Sequence, residues 1–127
     1  MALYACALCL PALPGWPGLW ALSVGWFELL VVAKVGPFVA LAWFANPALV
    51  ACWVALFAGT SRWALGLAIA AFVLAAGFML GSNVLLSASG DAEPIVHRGA
   101  GYGVWLASTV VALMGAIAIH LERRPQS

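Results

Sequence analysis

The chain has 127 residues, of which 66% are hydrophobic and only 7% are charged. Soluble globular proteins carry about 25% charged residues, so this composition excludes a soluble domain, and a chain this apolar cannot stay solvated as a disordered one. The formal net charge of +1 excludes the basic surface that nucleic acid needs. We therefore expect an all-α integral membrane protein, with a single transmembrane helical domain over residues 1–127.

Residues 1–34 are predicted to form an irregular hydrophobic segment. Pro11, Pro14 and Pro17 fall within seven residues, and prolines so close together cannot continue a helix. The apolar pieces on either side, residues 2–10 and 19–33, are both shorter than the roughly 20 residues that a span needs. We expect a partial or irregular span that packs against the other helices.

Three long uncharged stretches follow, and each predicts a transmembrane helix. The predicted helices are residues 35–61, 63–86 and 101–121, with a polar loop at residues 87–100. Trp63, Tyr102 and Trp105 lie where these helices begin, and aromatic rings of this kind prefer the headgroup level.

The basic residues predict the orientation. If the three spans alternate, Arg62, Arg123 and Arg124 lie on one side of the membrane, and Lys34 and Arg98 lie on the other. The side with more basic residues is usually cytoplasmic, so we expect the C-terminus in the cytoplasm.

Asn46 and Pro47 interrupt the first of these three spans. Pro47 removes one backbone donor and crowds the preceding turn, which predicts a kink. Alternatively, Asn46 is the N-cap and Pro47 the first residue of a new helix. The amide of Asn46 needs a partner at membrane depth, which is either a substrate or a neighbouring helix.

Glu28 is the one carboxylate that the sequence places at membrane depth, and Lys34 is the nearest basic residue. An ionisable group there costs about 2.5–3.5 kcal/mol on insertion scales, so it is a functional candidate. Six residues along a helix leave the two side chains about 120° apart, which is a poor geometry for an ion pair. Glu28 either carries protons for transport or reaches water together with Lys34.

Small residues recur at fourth positions in every span and are candidates for close helix packing. These residues are Ala51, Ala55 and Gly59, then Gly77 and Gly81, and finally Ser108, Ala112 and Ala116. Such stripes serve either a partner interface or packing within one chain.

No cofactor, metal site or catalytic residue is predicted. Cys6 and Cys9 form a C-x-x-C motif without the further ligands that a zinc site requires, and His97 and His120 lie at opposite ends of a span. The loop from Asp91 to Arg98 carries enough polar groups for an enzyme hypothesis, but it has no nucleophile or phosphate-binding motif. We therefore expect no enzyme.

Three short stretches resemble a group of small, uncharacterised bacterial multi-pass membrane proteins of about four helices. The stretches are residues 25–30 (GWFELL), 43–47 (WFANP) and 101–108 (GYGVWLAS). The resemblance implies the helical architecture and a bacterial inner-membrane location, and it implies no activity.

Two functions remain from the sequence. The first is an accessory, structural or immunity-type subunit, which packs through its helices against another membrane protein or a second copy of itself. The alternative is a miniature homodimeric proton-coupled transporter that uses Glu28. Small-residue faces support the first function, and a carboxylate at membrane depth supports the second.

Overall fold

The computed structural model describes residues 1–13, 15–85, 92–95 and 97–123. This part of the chain is mostly helical, and three of its helices are long and apolar enough to cross a membrane: Pro37–Phe57, Ser61–Leu80 and Ala100–Glu122. The prediction of a helical chain with three candidate spans is thereby confirmed. Which membrane the spans cross, and in which direction, stays a prediction.

The elements follow one another along the chain with short connections. They are α1 (Ala2–Cys9), β1 (Pro11–Leu13), β2 (Trp16–Pro17), α2 (Gly18–Val24), a 3₁₀ helix (Gly25–Val31), α3 (Val32–Val35), α4 (Pro37–Ala42), α5 (Ala45–Phe57), α6 (Ser61–Gly77), a second 3₁₀ helix (Phe78–Leu80), β3 (Asn83–Leu85), β4 (Ala92–Pro94) and α7 (Ala100–Glu122). We call residues 1–35 the N-terminal segment, and α4 to α7 the bundle.

The proline-rich stretch folds into a short hairpin that separates α1 from α2. Strands β1 and β2 are antiparallel, and Gly15 in their connection has a φ of 78°, which glycine adopts without the steric cost of a side chain. The amide of Gly18 then donates to the carbonyl of Leu10 at 2.9 Å. The chain therefore reverses at the prolines, and α2 lies against α1.

The first candidate span, Pro37–Phe57, is broken at residues 43–44, just before Asn46 and Pro47. Phe44 is the N-cap of α5, so Asn46 and Pro47 both belong to its first turn. The N–H groups of a first turn have no partner within the helix, so a proline there costs no hydrogen bond. A proline clashes with the carbonyl four residues before it, which here is the carbonyl of Trp43. The interruption of the helix thus lies slightly before the predicted position at Asn46 and Pro47. The N-cap of α5 is Phe44 and not Asn46.

The predicted helix over residues 63–86 ends earlier than the hydropathy indicates. Gly81 is already extended, with a φ of −72° and a ψ of 138°, and β3 pairs with β4 antiparallel. The expected loop at 87–100 therefore contains a strand, although residues 87–91 and 96 lie outside the described part. Hydropathy does not distinguish an apolar strand from the end of an apolar helix.

Small residues pack the bundle together along α6. Ala64, Ala68, Ala71 and Ala75 are fully buried, and the first three belong to a core cluster with residues of α5 and α7. Alanine at such positions allows two helix backbones to approach closely, which is the main source of packing energy where lipid removes the hydrophobic drive.

The predicted stripes are used unequally. Ala55, Ser108, Ala112 and Ala116 are buried inside the chain's own bundle, and Ala51 is half-buried. Gly77 ends α6, and Gly81 has left the helix, so these two glycines do not form one helical face.

Gly59 ends α5 and does not pack a helix face. It has a φ of 77°, its amide donates to Leu56 at 3.2 Å, and the amide of Thr60 donates to Ala55 at 3.0 Å. This is the Schellman arrangement that closes a helix C-terminus. The Arg123 guanidinium also donates to the Gly59 carbonyl, which brings the end of α7 to the α5–α6 connection.

We expect Gly101→Ala to destabilise the protein while Gly103→Ala does not. A β-carbon at Gly101 would lie 2.7 Å from the carbonyl oxygen of Leu10 and 2.9 Å from that of Pro11, whereas one at Gly103 would meet nothing within 4 Å. Overpacking against backbone costs about 1–3 kcal/mol. Thermal unfolding of both variants in detergent checks this, and equal melting temperatures would show that the backbone at Leu10 and Pro11 does not pack against Gly101.

Candidate functional site

A cavity of about 550 Å³ lies between the N-terminal segment and the bundle. Its first wall comes from α1, the hairpin, α2 and the 3₁₀ helix Gly25–Val31, and its second wall comes from α4, α5, Phe78 and the start of α7. Pockets of 300–1,000 Å³ are the usual size for small-molecule sites. The cavity is therefore large enough for an organic ligand.

Aromatic rings dominate the cavity wall. The rings are those of Trp16, Trp20, Phe27, Trp43, Phe78, Tyr102 and Trp105. Glu28 is the one acidic residue among the described lining residues, Asn46 is the one amide, and none of them is a lysine, arginine or histidine. The site is thus an apolar aromatic pocket with a single carboxylate.

Asn46, which lines this pocket, connects three helices. Its Oδ1 accepts hydrogen bonds from the Tyr4 hydroxyl of α1 at 3.1 Å and from Trp105 Nε1 of α7 at 2.9 Å. Its Nδ2 donates to the carbonyl of Trp43 at 3.1 Å. Both acceptor sites of the amide oxygen are therefore used within the chain, and the structure favours helix bonding over substrate binding for this side chain.

Two further aromatic side chains fix the walls through their polar atoms. Trp43 Nε1 donates to the carbonyl of Leu22 at 2.8 Å, which ties α2 to the broken span. The Tyr102 hydroxyl donates to the carbonyl of Ala75 at 3.0 Å, and Tyr102 is only 7% exposed. The Tyr102 hydroxyl is thus satisfied inside the bundle, and the expectation that this ring lies at the headgroup level stays a prediction.

Glu28 lies in the middle of the 3₁₀ helix Gly25–Val31 and is half-buried on the cavity wall. A 3₁₀ run of seven residues is unusual, since most end after three or four, and such stretches often mark hinges. Lys34 is exposed on α3 and does not line the cavity. Both side chains have interaction partners.

Arg98 contacts the end of α6 and Phe78, whose ring lines the pocket. Its Nη2 donates to the carbonyls of Phe78, Met79 and Gly81 at 2.9–3.0 Å, and its guanidinium carbon lies 5.5 Å from the centre of the Phe78 ring. Of the other loop residues considered for an enzyme, His97 is exposed and Asp91 lies outside the described residues. Arg98 thus holds the end of α6 and the ring that lines the cavity.

None of the three cysteines is among the described residues that line the cavity. Cys6 and Cys9 are exposed, Cys52 is buried in the bundle, and all three are free thiols. Among the described residues, no group of three His, Cys, Asp or Glu side chains is placed to hold a metal ion.

Sequence reasoning found Glu28, Asn46 and Pro47 but missed most of the aromatic wall. The available signal lay in the N-terminal segment, where Trp16 and Trp20 are four residues apart; in the structure their ring centres are 6.0 Å apart. Comparison with protein-family models, curated proteins and solved structures gave no match. The resemblance to small bacterial membrane proteins therefore stays a prediction.

Removing the Asn46 amide is expected to loosen α1 and α7 together. Asn46→Ala leaves the Tyr4 hydroxyl and the Trp105 indole without their acceptor, and an unsatisfied buried donor costs about 1–3 kcal/mol. In a double-mutant cycle, Asn46→Ala and Tyr4→Phe should show a coupling of about 0.6 kcal/mol, the average for interhelical bonds in membranes.

Unfolding in mixed detergent micelles, followed by tryptophan fluorescence, gives the free energies for this cycle. Ser23→Ala is the matched control, because the Ser23 hydroxyl is exposed and bonds only to Leu19 within its own helix. Strictly additive effects of Asn46→Ala and Tyr4→Phe would show that the bond contributes nothing.

Proposed function

We propose that this protein is a miniature proton-coupled transporter that binds a small molecule in the aromatic cavity. The observation that carries the proposal is that the cavity lies at the break in the first candidate span, Pro37–Phe57, and that Trp43, Asn46 and Glu28 of the N-terminal segment all line it.

A broken helix at a cavity is typical of transport sites. Irregular backbone at membrane depth is tolerated only where protein covers it or where it lines a cavity, and transporters bind substrates near the midplane at such discontinuous helices. The break at residues 43–44 lies within the span Pro37–Phe57, about one third of the way along it.

Glu28 supplies the coupling in this proposal. A carboxylate holds either a proton or a positively polarised substrate, so the two compete and exchange. Tyr102 is the other titratable group on the described wall, and its hydroxyl is bonded to Ala75. Arg98 and Lys34 do not line the cavity. We therefore assign the exchange of proton and substrate to Glu28.

The N-terminal segment is the moving part in this mechanism. It joins the bundle at Gly36, whose φ is 86°, and the 3₁₀ helix that carries Glu28 lies directly before α3. Loop and element ends of this kind absorb the dihedral changes of a hinge. Movement there would open the wall formed by α2 while the alanine-packed bundle stays intact.

We expect Glu28→Gln to abolish proton exchange in proteoliposomes. The liposomes hold a pH-sensitive dye and an acidic interior, and three aromatic probes are added in turn: the cation ethidium, the anion 1-anilinonaphthalene-8-sulfonate and the neutral N-phenyl-1-naphthylamine. At least one probe should release protons faster from wild-type liposomes than from empty ones. Glutamine removes the exchangeable proton, so Glu28→Gln should fall to the rate of empty liposomes.

Glu122→Gln is the matched control, because Glu122 is exposed at the end of α7, and it should exchange protons like wild type. Unchanged exchange in Glu28→Gln, or no exchange by wild type with any probe, would contradict the proposal.

The accessory, structural or immunity-type role, which is the first expectation from the sequence, stays a prediction. Four of the small residues that suggested a partner interface, Ala55, Ser108, Ala112 and Ala116, are buried within this chain's own bundle. Mass spectrometry of the intact assembly from native membranes distinguishes the two roles. A stable complex with a larger membrane protein would favour the accessory role, and a homodimer without another protein would favour the transporter.

A further inference from the structure

We propose that the cavity selects a lipophilic organic cation, a molecule with a permanent positive charge on an aromatic or branched apolar body. This inference rests on the proposed transport site and names its class of substrate. It is based on the observation that one carboxylate and several aromatic rings line the same cavity.

The charges on the wall select the sign of the ligand. Glu28 is the only ionisable acid or base among the described lining residues apart from the Tyr102 phenol, so the described wall offers a cation a carboxylate and offers an anion no cationic side chain. Arg98 does not line the cavity, and its Nη2 is already bonded to three carbonyl oxygens. A carboxylate has about four lone-pair sites, so the partner that Glu28 already has does not exhaust its capacity.

Aromatic rings on both walls favour a cation further. On the bundle wall, the ring centres of Phe78 and Tyr102 are 5.3 Å apart, and those of Tyr102 and Trp105 are 5.8 Å apart. On the opposite wall, Trp16 and Trp20 form a second tilted pair. The faces of such rings carry negative potential and attract cations, most strongly at tryptophan.

Three of the aromatic polar groups on the wall already have hydrogen-bond partners within the protein, which favours an apolar ligand. Trp43 Nε1, Trp105 Nε1 and the Tyr102 hydroxyl donate to Leu22, Asn46 and Ala75 respectively. A sugar or peptide would lose its hydration and find few free partners here. An apolar body needs none.

The volume of the cavity excludes an inorganic cation as the preferred ligand. One water occupies about 30 Å³ of liquid, so the cavity of about 550 Å³ is far larger than a single ion. Hard metal cations also require six or more oxygen ligands, whereas Glu28 and Asn46 are the side chains with carbonyl or carboxylate oxygens on the described wall.

Two ions of the same shape and opposite charge test this inference. Binding of tetraphenylphosphonium and of tetraphenylborate to the wild-type protein in neutral-lipid nanodiscs is measured by tryptophan fluorescence, with partition into protein-free nanodiscs subtracted. We expect the cation to bind about tenfold more tightly or better, because only the cation pairs with Glu28. This comparison needs no variant, so a folding defect cannot obscure it.

The variants then locate the binding. Glu28→Gln should weaken tetraphenylphosphonium binding about tenfold or more, and the exposed-site control Glu122→Gln should leave it unchanged. Equal affinity for the two ions, or equal weakening by both variants, would overturn the inference.

The outcomes also separate this inference from the transport proposal. If tetraphenylphosphonium binds through Glu28 but no probe drives proton exchange, the substrate class stands and transport fails. If a neutral or anionic probe drives Glu28-dependent exchange while the two ions bind equally, transport stands and the cation inference fails.

Discussion

The amide of Asn46 must find hydrogen-bond partners in an apolar interior, and this requirement shapes the protein. Pro47 prevents a helical bond to the carbonyl of Trp43, so that carbonyl accepts instead from the backbone and side-chain nitrogens of Asn46. The amide oxygen then binds Tyr4 and Trp105. The break in the span, the docking of α1 and the position of α7 therefore have one common origin.

The size of the side chains determines where the cavity lies. Towards one end of the bundle, α6 packs through alanines such as Ala64 and Ala68, which leave no space between helices. Towards the other end, Phe78, Tyr102 and Trp105 are too large for such close approach, and the N-terminal segment lies across the gap with its own tryptophans. The cavity thus follows from an uneven distribution of small and aromatic residues along the spans.

Composition and charge spacing were sufficient to predict the three candidate spans, because hydrocarbon thickness sets the length of a span. They also singled out Glu28 and Asn46, because polar groups are rare in such spans. The aromatic wall was not predictable, since Trp16 and Trp105 meet the same cavity only after the prolines reverse the chain. Gly59 and Gly81 were misinterpreted for a related reason: spacing on a helix does not show where the helix ends.

The central claim is that the space between the N-terminal segment and the bundle holds a ligand. Photolabelling with a diazirine derivative of a lipophilic cation, followed by peptide mass spectrometry, tests it most directly. We predict labels within residues 16–28, 39–46 and 101–105, the stretches that line the cavity, and loss of these labels when unlabelled cation competes. Labels confined to exposed side chains such as Val54, Phe57 and Val73, unaffected by competitor, would contradict the claim.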